Sequence, residues 1–199
     1  MDILIFTLVT FAVIVILNAQ EQKRRIALLG QHLGRYRMEG LMEDVVQGYL
    51  RALDEEDPQR REQIWRLQAG SEAAIADQFN RFASEFSRAD EAAARVNKIA
   101  LPWVGRFFPA TTFDLREAFR IHARGIADAV ANPSERSPRD KAFTLSAELY
   151  LMQHTCHWFC RSRTLASARL LKRHQVSHAQ VLAAVSPATR RAYAELTGI

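Results

Sequence analysis

The stretch richest in reactive side chains is His154-Thr155-Cys156-His157-Trp158-Phe159-Cys160. Thiolates and imidazoles are what zinc and copper sites use, and a step of three puts His157 and Cys160 on one helical face. Neighbouring helical residues diverge by about 100°, so Cys156 and His157 point apart. One turn of helix cannot surround a tetrahedral ion. A metal-binding or enzymatic centre at His154, Cys156, His157 and Cys160 therefore needs ligands from another helix. Haem attachment asks for Cys-x-x-Cys-His, an order this chain lacks. The plainer expectation is structural: two small buried thiols and a Trp158–Phe159 packing pair in a central helix, with no metal or cofactor implied.

Other catalytic signatures are missing. The chain has no glycine-rich phosphate loop, no His-Glu-x-x-His and no Gly-x-Ser-x-Gly. Paired carboxylates occur at Glu43-Asp44 and at Asp54 to Asp57, both on polar stretches beside turns that read as solvated faces. His32, His122, His174 and His178 are scattered, with no orienting partner visible in sequence. No catalytic residue is assigned, and no motif identifies a family.

Charge is unevenly distributed. Residues 1–100 carry 13 Lys/Arg against 15 Asp/Glu, whereas residues 101–199 carry 14 against 7. No acid occurs between Glu148 and Glu195, a window holding Arg161, Arg163, Arg169, Lys172, Arg173, Arg190 and Arg191. Such a basic surface suits anionic lipid headgroups, an acidic protein surface or nucleic acid. A solvated face paired with the acidic 54–57 segment is the simpler alternative. Helix starts at Ser177 and at Ser186-Pro187, with Arg190-Arg191 early in the last helix, faintly resemble a helix-turn-helix. The turn lacks a glycine and the last helix offers few base-reading side chains, so a membrane-tethered nucleic-acid binder is the least expected reading.

The elements that must carry these residues begin with an apolar run. Ile3, Leu4, Ile5, Phe6, Leu8, Val9, Phe11, Val13, Ile14, Val15, Ile16 and Leu17 are interrupted only by Thr7, Thr10 and Ala12. No charge falls between Asp2 and Glu21. Eighteen uncharged residues make about 27 Å of helix, a little under the ~30 Å hydrocarbon core of a bilayer. Threonine hydroxyls can bond back to the preceding turn and are tolerable there. A cleaved signal peptide would want positive charge before the run, and Met1-Asp2 has none. A globular core helix would need a core encircling it. Lys23, Arg24 and Arg25 follow the run, which by the positive-inside rule puts the N-terminus out and the remainder in the cytoplasm.

The remainder reads as helices. Met38, Leu41, Met42, Val45, Val46, Tyr49 and Leu53 form an apolar stripe. Asp57-Pro58 stops one helix and starts the next, which Gly70-Ser71 kinks or restarts. Ile75, Phe79, Phe82 and Phe86 follow at steps of four, three and four, continued by Ala89, Ala93 and Val96, and each large ring contributes about 2 kcal/mol when buried. Leu101 to Pro109 interrupts the pattern. Its Trp103, Phe107 and Phe108 beside Arg106 read either as an interfacial wedge or, preferably, as a loop plugging the bundle. Thr111-x-x-Asp114 resembles a capping box ahead of Leu115, Phe119, His122, Ile126 and Val130. Ser137-Pro138 opens the longest helical stretch, out to about His174.

In all, 199 residues that are 48% hydrophobic and 25% charged, with two cysteines, make one compact domain with an appendage and exclude a disulfide scaffold or disorder. The expectation is an all-α chain: a single transmembrane anchor over residues 1–20, a basic juxtamembrane segment over 21–34, and a cytoplasmic helical domain over 35–199. Its expected role is an interaction scaffold at the membrane, with the lipid bilayer and a protein partner or second copy as partners.

Overall fold

The computed structural model describes residues 2–99 and 104–199. Among the described residues the chain is all-α but for one short antiparallel ribbon. Helix α1 (Asp2–Leu33) is followed by α2 (Met38–Asp54), α3 (Pro58–Phe86), strand β1 (Arg95–Asn97) and a single-turn α4 (Val104–Phe107). A 3-10 turn at Pro109–Thr111 leads into strand β2 (Thr112–Asp114), and then come α5 (Leu115–Ala131), α6 (Pro138–Cys160), α7 (Arg163–His174), α8 (His178–Ala184) and α9 (Pro187–Thr197).

Local chemistry explains most starts. Asp57 accepts the Gln59 amide at 2.8 Å, with Pro58 in the first turn of α3. Ser137 caps α6 through Asp140, and Ser177 with Gln180 completes a capping box on α8. Ser186 caps α9 through the Thr189 amide at 3.1 Å. Each such bond satisfies an amide that the helix itself leaves unpaired.

The core is built around α6. Phe79, Phe82 and Phe86 of α3 are fully buried and meet Phe119 of α5 edge-on, at ring distances of 6.0, 5.0 and 5.0 Å. Leu145, Leu149, Trp158 and Phe159 bring the opposite wall from α6. A smaller cluster around Leu151, Leu170, Val181, Val185 and Tyr193 closes α7, α8 and α9 onto α5 and α6.

Several boundaries differ from the sequence expectation. The stretch from Ser137 to His174 is two helices, because Arg161 leaves helical geometry and Ser162 caps a new one through the Leu165 amide. Gly70 passes inside α3 without a break. Asp114, not Thr111, caps α5; Thr111 ends the 3-10 turn. Val96 lies not on a helix but on β1, where it pairs with Phe113 of β2. Phe107 and Phe108 do not plug the bundle: they are 77% and 61% exposed, while Trp103 lies outside the described residues.

Two buried polar junctions tie the helices together. Tyr49 of α2 donates to Glu72 of α3 at 2.6 Å, and Lys141 of α6 pairs with the other oxygen of the same carboxylate. Gly125 on α5 admits Glu148 and Thr189, since a Cβ there would lie 2.4 and 2.3 Å from their side-chain oxygens. We expect Glu72→Ala, which strands Lys141 and Tyr49, to cost about 2–4 kcal/mol by thermal unfolding in detergent. Glu62→Ala, which breaks only the exposed pair with Arg66, is expected to cost less than about 0.5 kcal/mol.

Candidate functional site

The apolar half of α1 stands free of the fold. From Ile3 to Leu17 its side chains are exposed, apart from a half-buried Ile14, and α1 is long and apolar enough to cross a membrane. Thr7 and Thr10 bond back to the carbonyls of Ile3 and Phe6, each at 2.8 Å, which spares their hydroxyls a water partner. The helix then continues without a break, and Glu21, Arg25, Leu28, Leu29, His32 and Leu33 turn one face inward. That spacing of three and four is an amphipathic stripe, so residues 21–33 also form a helix of the domain.

Arg25 makes the joint. It is 9% exposed, its Nη1 donates to the Phe159 carbonyl at 3.2 Å, its Nε pairs with Glu21 at 3.0 Å, and its guanidinium lies 5.4 Å from the Phe159 ring centre. The Phe159 carbonyl is among the last of α6, where the helix leaves acceptors unpaired and its dipole is negative. A cation from α1 therefore closes the end of α6. Arg161 reaches Gln22 beside it, and Trp158 donates to the Asn97 carbonyl at 2.8 Å. Together these groups form a cleft walled by Asn18, Gln22, Lys98, Arg161 and Leu165.

The other sequence-picked residues fall in different places. Lys23 and Arg24 are exposed, and only Arg25 of that triplet is buried. Arg161 and Arg163 border the α1 joint, with Arg163 stacked 5.6 Å over Trp158. Arg169, Lys172 and Arg173 lie along α7, where Arg173 pairs with Glu39 at 3.3 Å. Arg190 and Arg191 sit on α9, a helix packed on α5. The seven are thus dispersed over two helices and the joint between α6 and α7. Among the described residues, Asp57 pairs with Arg60 of its own helix, and no ion pair links the 54–57 segment to the basic tail.

The His/Cys stretch is split between partners. His154 shares a bond of 3.0 Å with Ser167 of α7 and meets the His178 ring of α8 at a tilt, 4.2 Å between ring centres. His157 bonds the Gln153 carbonyl at 2.9 Å, and Cys156 faces Met152 with 3.9 Å between sulfurs. No group of three or more His, Cys, Asp or Glu converges to hold an ion among the described residues. Burial pushes the Cys156 thiol well up and that of Cys160 to about 11, so both are held as thiols, the poor nucleophile and ligand form. Burial lowers His154 to about 3, helped by His178, and lowers His157 to about 4.

Sequence reasoning missed a polar seam beside them. His122 shares a bond with Thr155 at 2.9 Å, and Thr155 shares another with the Tyr193 hydroxyl at 3.0 Å. All three are fully buried, and burial holds His122 neutral down to about 3. Glu148, also fully buried, accepts the Ser186 amide at 3.0 Å; burial raises its carboxyl to about 7. His174 bonds Gln153 at 2.9 Å and stacks on Tyr150, and His32 meets Phe86 edge-on. These histidines have partners, but the partners come from other helices and leave no periodic trace in sequence.

Comparison with family models finds no match, and comparison with curated proteins and with solved structures finds none either.

Two predictions follow from the joint and the seam. Arg25→Ala should cost about 2–4 kcal/mol because it uncaps α6 and leaves Glu21 unpaired, whereas Lys23→Ala should be neutral within about 0.5 kcal/mol; thermal melts of the full chain compare them. For pH, His122 and His154 keep folded pKa values below the ordinary 6.5, so their stabilisation is lost as pH falls below about 6.5. Glu148 is raised from 4.5 to about 7, so its share is lost as pH rises through that window. Maximum stability should lie near pH 6.5. Glu148→Gln should gain roughly 1–3 kcal/mol at pH 8 and nothing near pH 5, as read from melts across pH.

Proposed function

We propose that this chain is a bitopic membrane protein that presents its helical bundle in the cytoplasm and docks a protein partner, or a second copy of itself, at the membrane face. The observation that carries the reading is the division of α1. Its first half offers a continuous apolar surface to its surroundings, while its second half is packed into the bundle through Arg25, Leu28 and Leu29. A lipid-facing helix with no break before the domain holds a surface at a fixed place beside the bilayer, which suits docking. Support for the orientation comes from Lys23 and Arg24, exposed cations just past the apolar stretch. Anionic headgroups are the expected lipid partners of those cations.

The test is made on the full chain in membranes. A reporter fused after Ile199 should behave as cytoplasmic; alkaline-phosphatase activity on the opposite side would refute the orientation. Lys23→Gln with Arg24→Gln should scramble that orientation, and Arg25 is left intact because its loss would perturb the fold instead. After crosslinking in the membrane, the chain should be recovered with a stoichiometric partner or as a dimer. A monomer that carries a metal or small ligand would overturn the docking role in favour of a metal-binding or enzymatic protein.

A further inference from the structure

We infer that the domain rests a built apolar edge in the bilayer interface from which α1 emerges, with Phe107 and Phe108 as its wedge. The inference depends on α1 spanning the membrane, and it adds a second lipid-binding site on the domain itself.

The argument starts from height along α1. Leu17 is the last apolar residue of the run, and Asn18 to Arg25 lie about 1.5 to 12 Å beyond it along the helix. The polar interface of a bilayer extends roughly 5–8 Å outside the hydrocarbon on each side. Parts of the domain level with Asn18 to Gln22 therefore stand at headgroup depth. Two clefts fix which parts those are. One joins Asn18, Glu21 and Gln22 to Lys98, Ile99 and the start of α7 at Leu165. The other joins the stretch of α1 from Glu21 to Leu28 to Gly105, Pro109 and Thr112, so this side of the domain starts at headgroup depth at Glu21 and rises beyond it. Phe107 and Phe108 lie between Gly105 and Pro109.

The side chains at this level are what an interface takes. Phe107, Phe108, Leu165 and Ile99 are 77%, 61%, 56% and 46% exposed. Large apolar groups clustered on one edge mark an interaction site more often than scattered ones do. Cations accompany them: Lys23, Arg24, Arg161 and Arg163 are exposed, and Lys98 is half-buried. The acids at this edge are largely engaged, Glu21 with Arg25, and Glu91 with Arg95 and Arg116, while Asp90 accepts the Ala93 amide. Apolar groups that enter the acyl boundary within a rim of Lys and Arg are the composition of interfacial membrane binding. The wedge is also held in place. A Cβ on Gly105 would sit 2.4 Å from Asn97 Oδ1 and 2.5 Å from Thr112 Cγ2, so α4 lies directly against the β1–β2 ribbon. By contrast Arg173, with its Glu39 partner, belongs to the far end of α7, and the lipid contact falls to Arg161 and Arg163 instead.

The test places an environment-sensitive nitrobenzoxadiazole label at single cysteines in the full chain carrying Cys156→Ala and Cys160→Ala. The protein is held in nanodiscs of phosphatidylcholine with phosphatidylglycerol. Labels go at Phe108→Cys, at Leu8→Cys within the apolar run, and at Phe143→Cys. Phe143 is 54% exposed and about 24 Å along α6 from Phe159. Expected are blue-shifted emission at positions 8 and 108, quenching at 108 by lipids doxyl-labelled near the headgroup, and water-like emission at 143. If position 8 reports water, the membrane-spanning reading fails. If position 8 reports hydrocarbon while 108 reports water, the anchor stands and this inference falls. Blue-shifted emission at 108 that lipid quenchers do not reach would also overturn it, and would assign the edge to a second copy of the chain.

Discussion

The contact between the Arg25 guanidinium and the end of α6 decides what kind of molecule this is. A long apolar helix joined to a domain by a flexible segment is a tether, and the domain samples all orientations. Here the cation that closes α6 belongs to the apolar helix itself, and it does so from a nearly buried position. A charge buried that deeply is tolerable because Glu21 and a helix carbonyl compensate it, and removal of any member leaves the others costly. The apolar helix and the bundle are therefore joined by a buried, charge-assisted contact as well as by the chain.

Much of the fold was legible because its signals are local. Asp57-Pro58, Ser137-Pro138, Ser177 and Ser186-Pro187 cap helices as their chemistry requires. Phe79, Phe82 and Phe86 could be placed on one buried face from spacing alone. What sequence could not convey was competition between neighbours far apart in the chain. Residues 21–33 carry enough charge to look like a solvated segment, and their apolar stripe has a purpose only once α6 and α3 stand beside it. Arg161 breaks a helix that its own periodicity would continue, and there the side chain reaches Gln22, 139 residues away. The three-residue strands pair through a register that no alternation of so short a length announces.

The candidate site was legible only in part, for a related reason. Basic residues close in sequence looked like one surface, yet α7 carries Arg163 and Arg173 to opposite ends and sets Arg190 and Arg191 on a different helix. The His/Cys stretch looked like the seat of chemistry because its residue types are reactive. In the fold their partners diverge, with His154 on Ser167 and His178, His157 on the Gln153 carbonyl and Cys156 on Met152, while burial favours the protonated thiols and the neutral imidazoles. The polar seam of His122, Thr155, Tyr193 and Glu148 is spread over three helices, so each member reads in sequence as an isolated residue.

The unbroken course of α1 through Leu17, Gln22 and Arg25 has a geometric consequence. In a straight helix each residue advances the axis by about 1.5 Å and turns it by about 100°. On the proposed membrane-spanning reading, the count of residues between the apolar run and Arg25 thus sets both the height of the bundle above the lipid and its compass bearing around the membrane normal. Deleting Ala19 or Gln20, which are exposed and precede Glu21, Gln22 and Arg25, would swing the whole bundle by more than a quarter turn relative to the apolar run while the Glu21–Arg25 pair and the Gln22–Arg161 contact keep their register. The linker works as a dial whose setting is written in chain length, and the face a neighbour meets is chosen by counting residues as much as by the side chains on that face.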